Sequence, residues 1–339
     1  MLKISSDLIE QLNKKEIKYC HWKSNIGLEE ELDGGELDFY VAPESKEMFQ
    51  NIIKCLGFIR AITPLQNHIP DVYHYYGHDS KTGKLLHLHI FYSIITGESL
   101  LKNYEFKIGN ILLEDMTEKL GVPVPNSKLE LFLFVIRIYS KHQSCFEYLI
   151  LLRDYNKIYQ ELIYLENKSK GNLISENMCR KYFNNIPLDL IYDGIVLLKN
   201  GSNYLQKYRH SRKISQYIGK YNRYGSLRSY CLRLKILFRI CFQKLFSGKK
   251  SKYIKSGGFI CAVTGPEATG KSTLVKELSN WIGSNFLVRH FHIGKPESAI
   301  ITLPFNLITP LMKLFFQKQS NTYKIKNSNL FDVINKQFI

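Results

Sequence analysis

Gly265-Pro266-Glu267-Ala268-Thr269-Gly270-Lys271-Ser272-Thr273 has the spacing G-x-x-x-x-G-K-S, the pattern of a phosphate-binding loop. A triphosphate needs several hydrogen-bond donors converging on one small volume. Backbone amides supply them only where the chain wraps tightly, and Gly265 and Gly270 permit that wrap. The spacing predicts that the loop, from Gly265 through Pro266, Glu267, Ala268 and Thr269 to Thr273, cradles the phosphates of ATP. Lys271 is assigned to the β- and γ-phosphates, where its ammonium would stabilise charge during transfer. The Ser272 hydroxyl is assigned as a ligand of Mg2+, and Thr273 to the helix cap or the α-phosphate. The flanks fit the motif. Phe259 to Val263 is a short apolar run that reads as a strand, and Leu274, Val275, Leu278 and Ile282 recur at helical steps.

A second pattern with chemistry in it lies near the front. In Glu36-Leu37-Asp38-Phe39-Tyr40-Val41 two carboxylates alternate with apolar residues. At strand spacing i and i+2 point to one face, so Glu36 and Asp38 converge as a divalent cation requires. His87-Leu88-His89 repeats the spacing with imidazoles. These read either as satisfied histidines of a half-buried strand, the simpler case, or as metal ligands.

The elements that must position these groups follow from periodicity. Ser5 to Lys15 reads as a helix capped by Ser5 or Ser6, and Ile17 to Trp22 as a strand. Pro43 and Glu44 open a helix through Leu56. Val72 to Gly77 and Leu85 to Tyr92 read as two strands joined by the turn Asp79 to Lys84. Gly121 to Asn126 reads as a break, after which Ser127 caps a helix with Glu130 at the capping-box position. Helical patterns then cover Leu129 to Ser140, Phe146 to Leu165, Ser175 to Phe183 and Leu188 to Lys199. His142 and Asp154, in this stretch, carry no chemical signal. The organisation expected is an α/β front domain at 1–122 and a helical bundle at 126–220. A basic amphipathic helix with linker follows at 221–256, and a phosphate-loop unit of parallel α/β type at 257–339.

Composition bounds the partners. The chain has 339 residues, 45% of them hydrophobic, with 22 Tyr and 20 Phe, an ordinary globular balance. Its seven cysteines are scattered with no C-x-x-C pair, the usage of a reduced, cytoplasmic protein. No signal-peptide pattern or long uncharged apolar run is present; Ala299 to Met312 comes closest and is broken by prolines. The net charge of +17 is concentrated: fifteen Lys/Arg and no Asp or Glu lie between Gly201 and Lys255. Within it Leu227, Tyr230, Leu234, Phe238 and Phe242 share one arc of a helix, and Leu232, Ile236 and Ile240 form a second stripe. A connector packed on two partners, or a helix on the inner, anionic membrane surface through 227–255, both fit. Nucleic acid is the least favoured partner, because no recognition motif accompanies the charge.

Taken together, Tyr19-Cys20-His21-Trp22-Lys23-Ser24-Asn25, Glu36-Leu37-Asp38, Leu86-His87-Leu88-His89, the loop Gly265 to Thr273 and His292-Ile293-Gly294-Lys295-Pro296 give the chain a resemblance to a known family. It resembles thymidylate kinase-like proteins of bacterial surface-polysaccharide gene sets, in which a nucleotidyltransferase-like front half precedes a nucleoside-monophosphate-kinase-like back half. The resemblance implies a phosphotransferase binding Mg2+ and ATP. It also implies a front site where paired acids and a third acid hold two metal ions. Here Lys23-Ser24 stands where that family has Gly-Ser, and His87 and His89 stand where the third acid is expected. From Gly257 only 83 residues remain, and no Arg follows Arg289. A truncated kinase unit, or one completed by a protein partner, is therefore expected. Asp332 is the nearest candidate for a second, strand-end magnesium acid. Three readings stand open: a P-loop phosphotransferase, a non-catalytic nucleotide-binding scaffold at the membrane surface, and a metal-dependent nucleotidyltransferase using Glu36 and Asp38.

Overall fold

The computed structural model describes residues 1–62, 69–99, 101–169, 174–183, 186–201, 204–246, 252–289 and 291. The chain divides into two units, Met1–Leu287 and Val288–Ile339, and every element named here lies in the first. The motif His292–Pro296, the apolar run Ala299–Met312 and Asp332 lie outside the described residues.

Helix α1 (Lys3–Lys14) opens the chain, with Ile4, Leu8, Ile9 and Leu12 buried at three- and four-residue steps. It starts before Ser5 and Ser6, and neither caps it. Ser5 is buried, its hydroxyl donating to the Leu32 carbonyl at 2.8 Å. The Ile4 N–H donates instead to Asp79 Oδ1 at 3.1 Å, so a carboxylate from a distant turn serves the positive helix end. Next come β1 (Tyr19–His21), α2 (Leu28–Leu32), β2 (Glu36–Val41), α3 (Lys46–Cys55), β3 (Ile59–Ile62), β4 (Val72–His78) and β5 (Leu85–Phe91). A short hairpin, β6 (Ile94–Thr96) with β7 (Tyr104–Phe106), and α4 (Gly109–Glu114) lead to a second, β8 (Met116–Lys119) with β9 (Val122–Pro125). The break expected at Gly121 to Asn126 is thus mostly strand. In this two-stranded ribbon Pro123 and Pro125 need no N–H on their open side, and Val122 and Val124 point into the core.

Five helices follow: α5 (Ser127–Lys141), α6 (Cys145–Ser169), α7 (Glu176–Tyr182), α8 (Leu188–Lys199) and α9 (Tyr204–Ile218). The cap of α5 is Asn126, whose side chain accepts from Lys128 N, not Ser127. Glu130 is no capping-box residue. It is buried and accepts from Asn25 Nδ2 at 2.7 Å and Lys168 Nζ at 3.1 Å. Helix α10 (Ser226–Phe246), β10 (Tyr253–Ile254) and α11 (Lys271–Gly283) complete the described fold. In α10 the stripe that packs is Leu232, Ile236 and Ile240, with Arg233 forked onto Glu98 at 2.7 and 2.8 Å. The other stripe stands in solvent. No helix among the described residues is long and apolar enough to cross a membrane.

The result is a mixed α/β molecule. Its main sheet has the order β1-β2-β5-β4-β3-β10, in which β2 and β5 run parallel and the other neighbours antiparallel. The alternation of each strand decides its faces. Leu37, Phe39, Val41, Leu86, Leu88 and Ile90 point to one side and are buried with Leu8, Leu12, Phe49 and Ile53 of α1 and α3. The other side carries Glu36, Asp38, His87 and His89. Beyond them Cys20, Trp22, Tyr40 and Phe91 join the core of the helical bundle.

The expected strand at Phe259 to Val263 does not form. These residues carry no regular structure; Phe259 to Ala262 are exposed, Ile260 almost fully, and Val263 is half-buried. A strand needs a neighbour for its N–H and C=O groups. Among the described residues no strand pairs with this run, although β10 stands at the edge of the sheet. Further along, Phe286 makes an isolated parallel bridge to Lys252.

Candidate metal centre

The register brings the front motifs together. In the parallel β2/β5 pair Glu36 lies beside His87 and Asp38 beside His89. In the antiparallel β4/β5 pair His74 lies beside His89 and Tyr76 beside His87. Because side chains alternate with period two, all six share the polar face. Glu36 Oε1 is 2.9 Å from His89 Nδ1, and Asp38 Oδ1 is also 2.9 Å from that nitrogen. One donor atom from each of Glu36, Asp38 and His89 falls within 4.8 Å of the others. An octahedral cation with bonds of about 2.1 Å holds adjacent donors about 3 Å apart, so these spacings suit one. Asp38 Oδ1 and His89 Nδ1 are moreover buried without a hydrogen bond of acceptable geometry, although they lie so close. Apart from the Lys23 ammonium at Asp38 Oδ1, these atoms converge without bonding one another, and the donor set fits a divalent cation.

Electrostatics agree. Burial pushes the Asp38 carboxyl up, but the Lys23 ammonium and His89 outweigh it and hold it well below the usual carboxylate range. Burial likewise raises Glu36, and the neighbouring His87 and His89 more than reverse it. His74 is pushed down to about 2 by burial, and burial also lowers His87 against the pull of Glu36. The ionised carboxylates, and the imidazoles of His74 and His87 kept neutral, are in the forms that bind metal.

The front motif Tyr19 to Asn25 supports this face from below. Lys23 Nζ lies 2.8 Å from Asp38 Oδ1, over the rings of Trp22 and Phe91 at 5.3 and 5.0 Å. Ser24 takes the left-handed conformation, φ 59° and ψ 35°, which a glycine adopts with less strain. His21 Nδ1 donates to Asn25 Oδ1 at 2.6 Å, and Asn25 passes the contact to Glu130 of α5. The loop is thereby pinned to the bundle. Lys102, with φ 48°, is pushed down to about 8 by burial and then by Lys23 and Lys141, so three lysines share one neighbourhood with Asp38.

The residues of the phosphate loop lie apart from this face. Helix α11 begins at Lys271 as the spacing predicts, and Gly270 supplies the left-handed turn at φ 80°. Lys271 Nζ donates to the Pro266 carbonyl of its own loop, as does Thr269 Oγ1 at 2.9 Å. Pro266, Glu267, Ala268, Thr269, Ser272 and Thr273 are exposed. His142 and Asp154 lie away from both: His142 is buried and bonded to the Ile138 carbonyl, and Asp154 pairs with Arg153. Sequence reasoning missed His74 and Lys252. His74 stands two residues before Tyr76 on a strand already assigned, so its face was readable. Lys252, whose Nζ is 3.1 Å from His87 Nε2, carried no signal.

No protein-family model matches the chain, and no curated protein sequence matches it. Two solved structures from Helicobacter pylori are similar to it. JHP933 is 11% identical, with a TM-score of 0.26, over 64% of this chain and 91% of that one. A second, described as a candidate nucleotidyltransferase, is 10% identical with a TM-score of 0.26, over 62% of this chain and 95% of that one.

Proposed function

We propose that the polar face of the sheet is a metal-dependent nucleotidyl-transfer site, with Glu36 and Asp38 as its carboxylates. The observation that carries this reading is the register of β2 and β5, which aims Glu36, Asp38 and His89 at one point. In this reaction class a divalent cation, when bound, activates the attacking hydroxyl and steadies the departing pyrophosphate. The chain's own residues do the rest. Glu36 and Asp38 hold the cation, and His89 stands in for a third acid. Lys23, Lys102 and Lys141 set a positive field toward which a polyphosphate would orient.

The test is pyrophosphate release from each of the four nucleoside triphosphates with Mg2+ or Mn2+. Release is expected with at least one, and Asp38→Asn should reduce it by about a hundredfold or more. Release that survives Asp38→Asn, or none with any nucleotide and either metal, overturns the reading.

A second reading is favoured by one observation. The left-handed Gly270 followed at once by α11 is the local turn that a phosphate-binding loop requires. On that basis the chain also holds Mg·ATP at Gly265 to Thr273, through Lys271 and Ser272, as a phosphotransferase of the nucleoside-monophosphate-kinase type would.

A further inference from the structure

We propose that Glu36, His74 and His87 form a second cation site, beside the Glu36–Asp38–His89 set, that takes a transition metal of the zinc class. It shares Glu36 with the transfer reading and stands without it.

The three residues come from three strands, β2, β4 and β5, locked by adjacent ladders. One donor atom from each lies within 4.8 Å of the others. Glu36 is split between the two sets: Oε1 is 2.9 Å from His89 Nδ1, while Oε2 is 3.5 Å from His87 Nδ1. The carboxylate thus sets one oxygen toward each histidine of β5. Ring stacking fixes the imidazole planes. Tyr76 lies on His87 at 4.5 Å and 6°, and His74 on His89 at 4.3 Å and 19°.

His87 Nε2 is oversubscribed. His74 Nδ1 is 3.0 Å from it and Lys252 Nζ 3.1 Å. A ring nitrogen has either one lone pair or one proton, so it cannot satisfy both neighbours. If it accepts from Lys252, it neither accepts from His74 nor donates to it; if it donates to His74, Lys252 goes unanswered. A cation in place of the ammonium removes the conflict by taking the lone pairs of His87 Nε2 and His74 Nδ1, while His87 Nδ1–H faces Glu36 Oε2 as the carboxylate that orients it. Lys252 then keeps the Tyr76 hydroxyl, 2.7 Å away. The ammonium is a tethered cover for the site, brought in by the segment entering β10. Two imidazoles, one of them backed by a carboxylate, favour zinc and its neighbours over magnesium, which prefers oxygen.

The full chain, stripped with chelator, would be titrated with Co2+ as a spectroscopic probe, and with Zn2+ against a chromophoric chelator. Visible Co2+ bands without thiolate charge transfer are expected. So is Zn2+ binding that a thousandfold excess of Mg2+ leaves in place. His74→Gln and His87→Gln should each weaken Zn2+ at least about tenfold. Asp38→Asn should change it less than about threefold, and Lys252→Met should tighten it. Unchanged affinity in a folded histidine variant, displacement by Mg2+, or a thiolate band overturns the site. Should both histidine variants misfold, failure of Lys252→Met to tighten binding overturns it instead. Zn2+ bound with no pyrophosphate release removes only the transfer reading; release with Mg2+ but no Zn2+ binding removes only this one.

Discussion

Lys23 Nζ stands 2.8 Å from Asp38 Oδ1, the same oxygen that faces His89 Nδ1. A side-chain ammonium thus neutralises a carboxylate that is otherwise free to hold a cation. Lys23→Met leaves that buried charge alone. Stability without metal should drop by about 3 kcal/mol, the usual consequence of removing one partner of a buried pair. Saturating Mn2+ should restore most of it, because the cation replaces the ammonium. Thermal denaturation with and without Mn2+ measures both. A variant as stable as wild type without metal would show that Asp38 does not depend on Lys23.

Lys271 bends back onto the Pro266 carbonyl. A bound triphosphate has to draw it away, exchanging a neutral acceptor for a charged one. Lys271→Ala is therefore expected to weaken Mg·ATP binding at least about tenfold, read by calorimetry, with little change in melting temperature because the loop is exposed. Equal affinity in the variant would remove the second reading.

On α10, Leu227, Tyr230, Leu234, Phe238 and Phe242 stand 50–79% exposed. Arg228, Lys235 and Arg239 are exposed among them, and no acid lies between Gly201 and Lys255. An apolar stripe with a wholly basic border suits an anionic lipid surface. The chain should co-sediment with phosphatidylglycerol vesicles, release in high salt, and ignore phosphatidylcholine. Phe238→Glu together with Leu234→Glu should abolish binding. Binding that persists in this variant would exclude the stripe as the contact.

His142 donates from Nδ1 to the Ile138 carbonyl at 2.7 Å, and its Nε2 is buried without a partner. Burial pushes it down to about 4. Above about pH 6.5 it is neutral both folded and unfolded and has no effect. As pH falls toward 4, the unfolded chain takes up a proton that the buried ring refuses. Folding then loses stability, up to about 3 kcal/mol. His142→Gln should flatten the stability profile over that window in denaturant titrations at successive pH values. An unchanged slope would assign the acid sensitivity to other groups.

How much was legible depended on the range of the interaction. Glu36 and Asp38 were readable as a pair because strand alternation is local, and so was the start of α11, since Gly270-Lys271 and the helical repeat lie within a few residues. The face of His74 was readable from the alternation of β4, but its place beside His89 needed the register of β4 on β5, which no local pattern states. Lys252 reaches His87 across 165 residues of chain. The apolar run at Phe259 to Val263 failed the other way. Its pattern was right for a strand, but hydrogen bonding to a neighbour is a tertiary condition, and the neighbour was absent among the described residues.

By itself, then, the sequence determined the alternating strands, the helical bundle, the concentration of positive charge between Gly201 and Lys255, and the presence of two motifs whose residue types and spacing suit chemistry. Periodicity and composition act within one turn or one pleat, and they survive without any knowledge of contacts. Only the tertiary structure decided which motif is assembled. Ladder pairing put five donor side chains and two lysines on one face, whereas the glycine loop met no sheet to complete it.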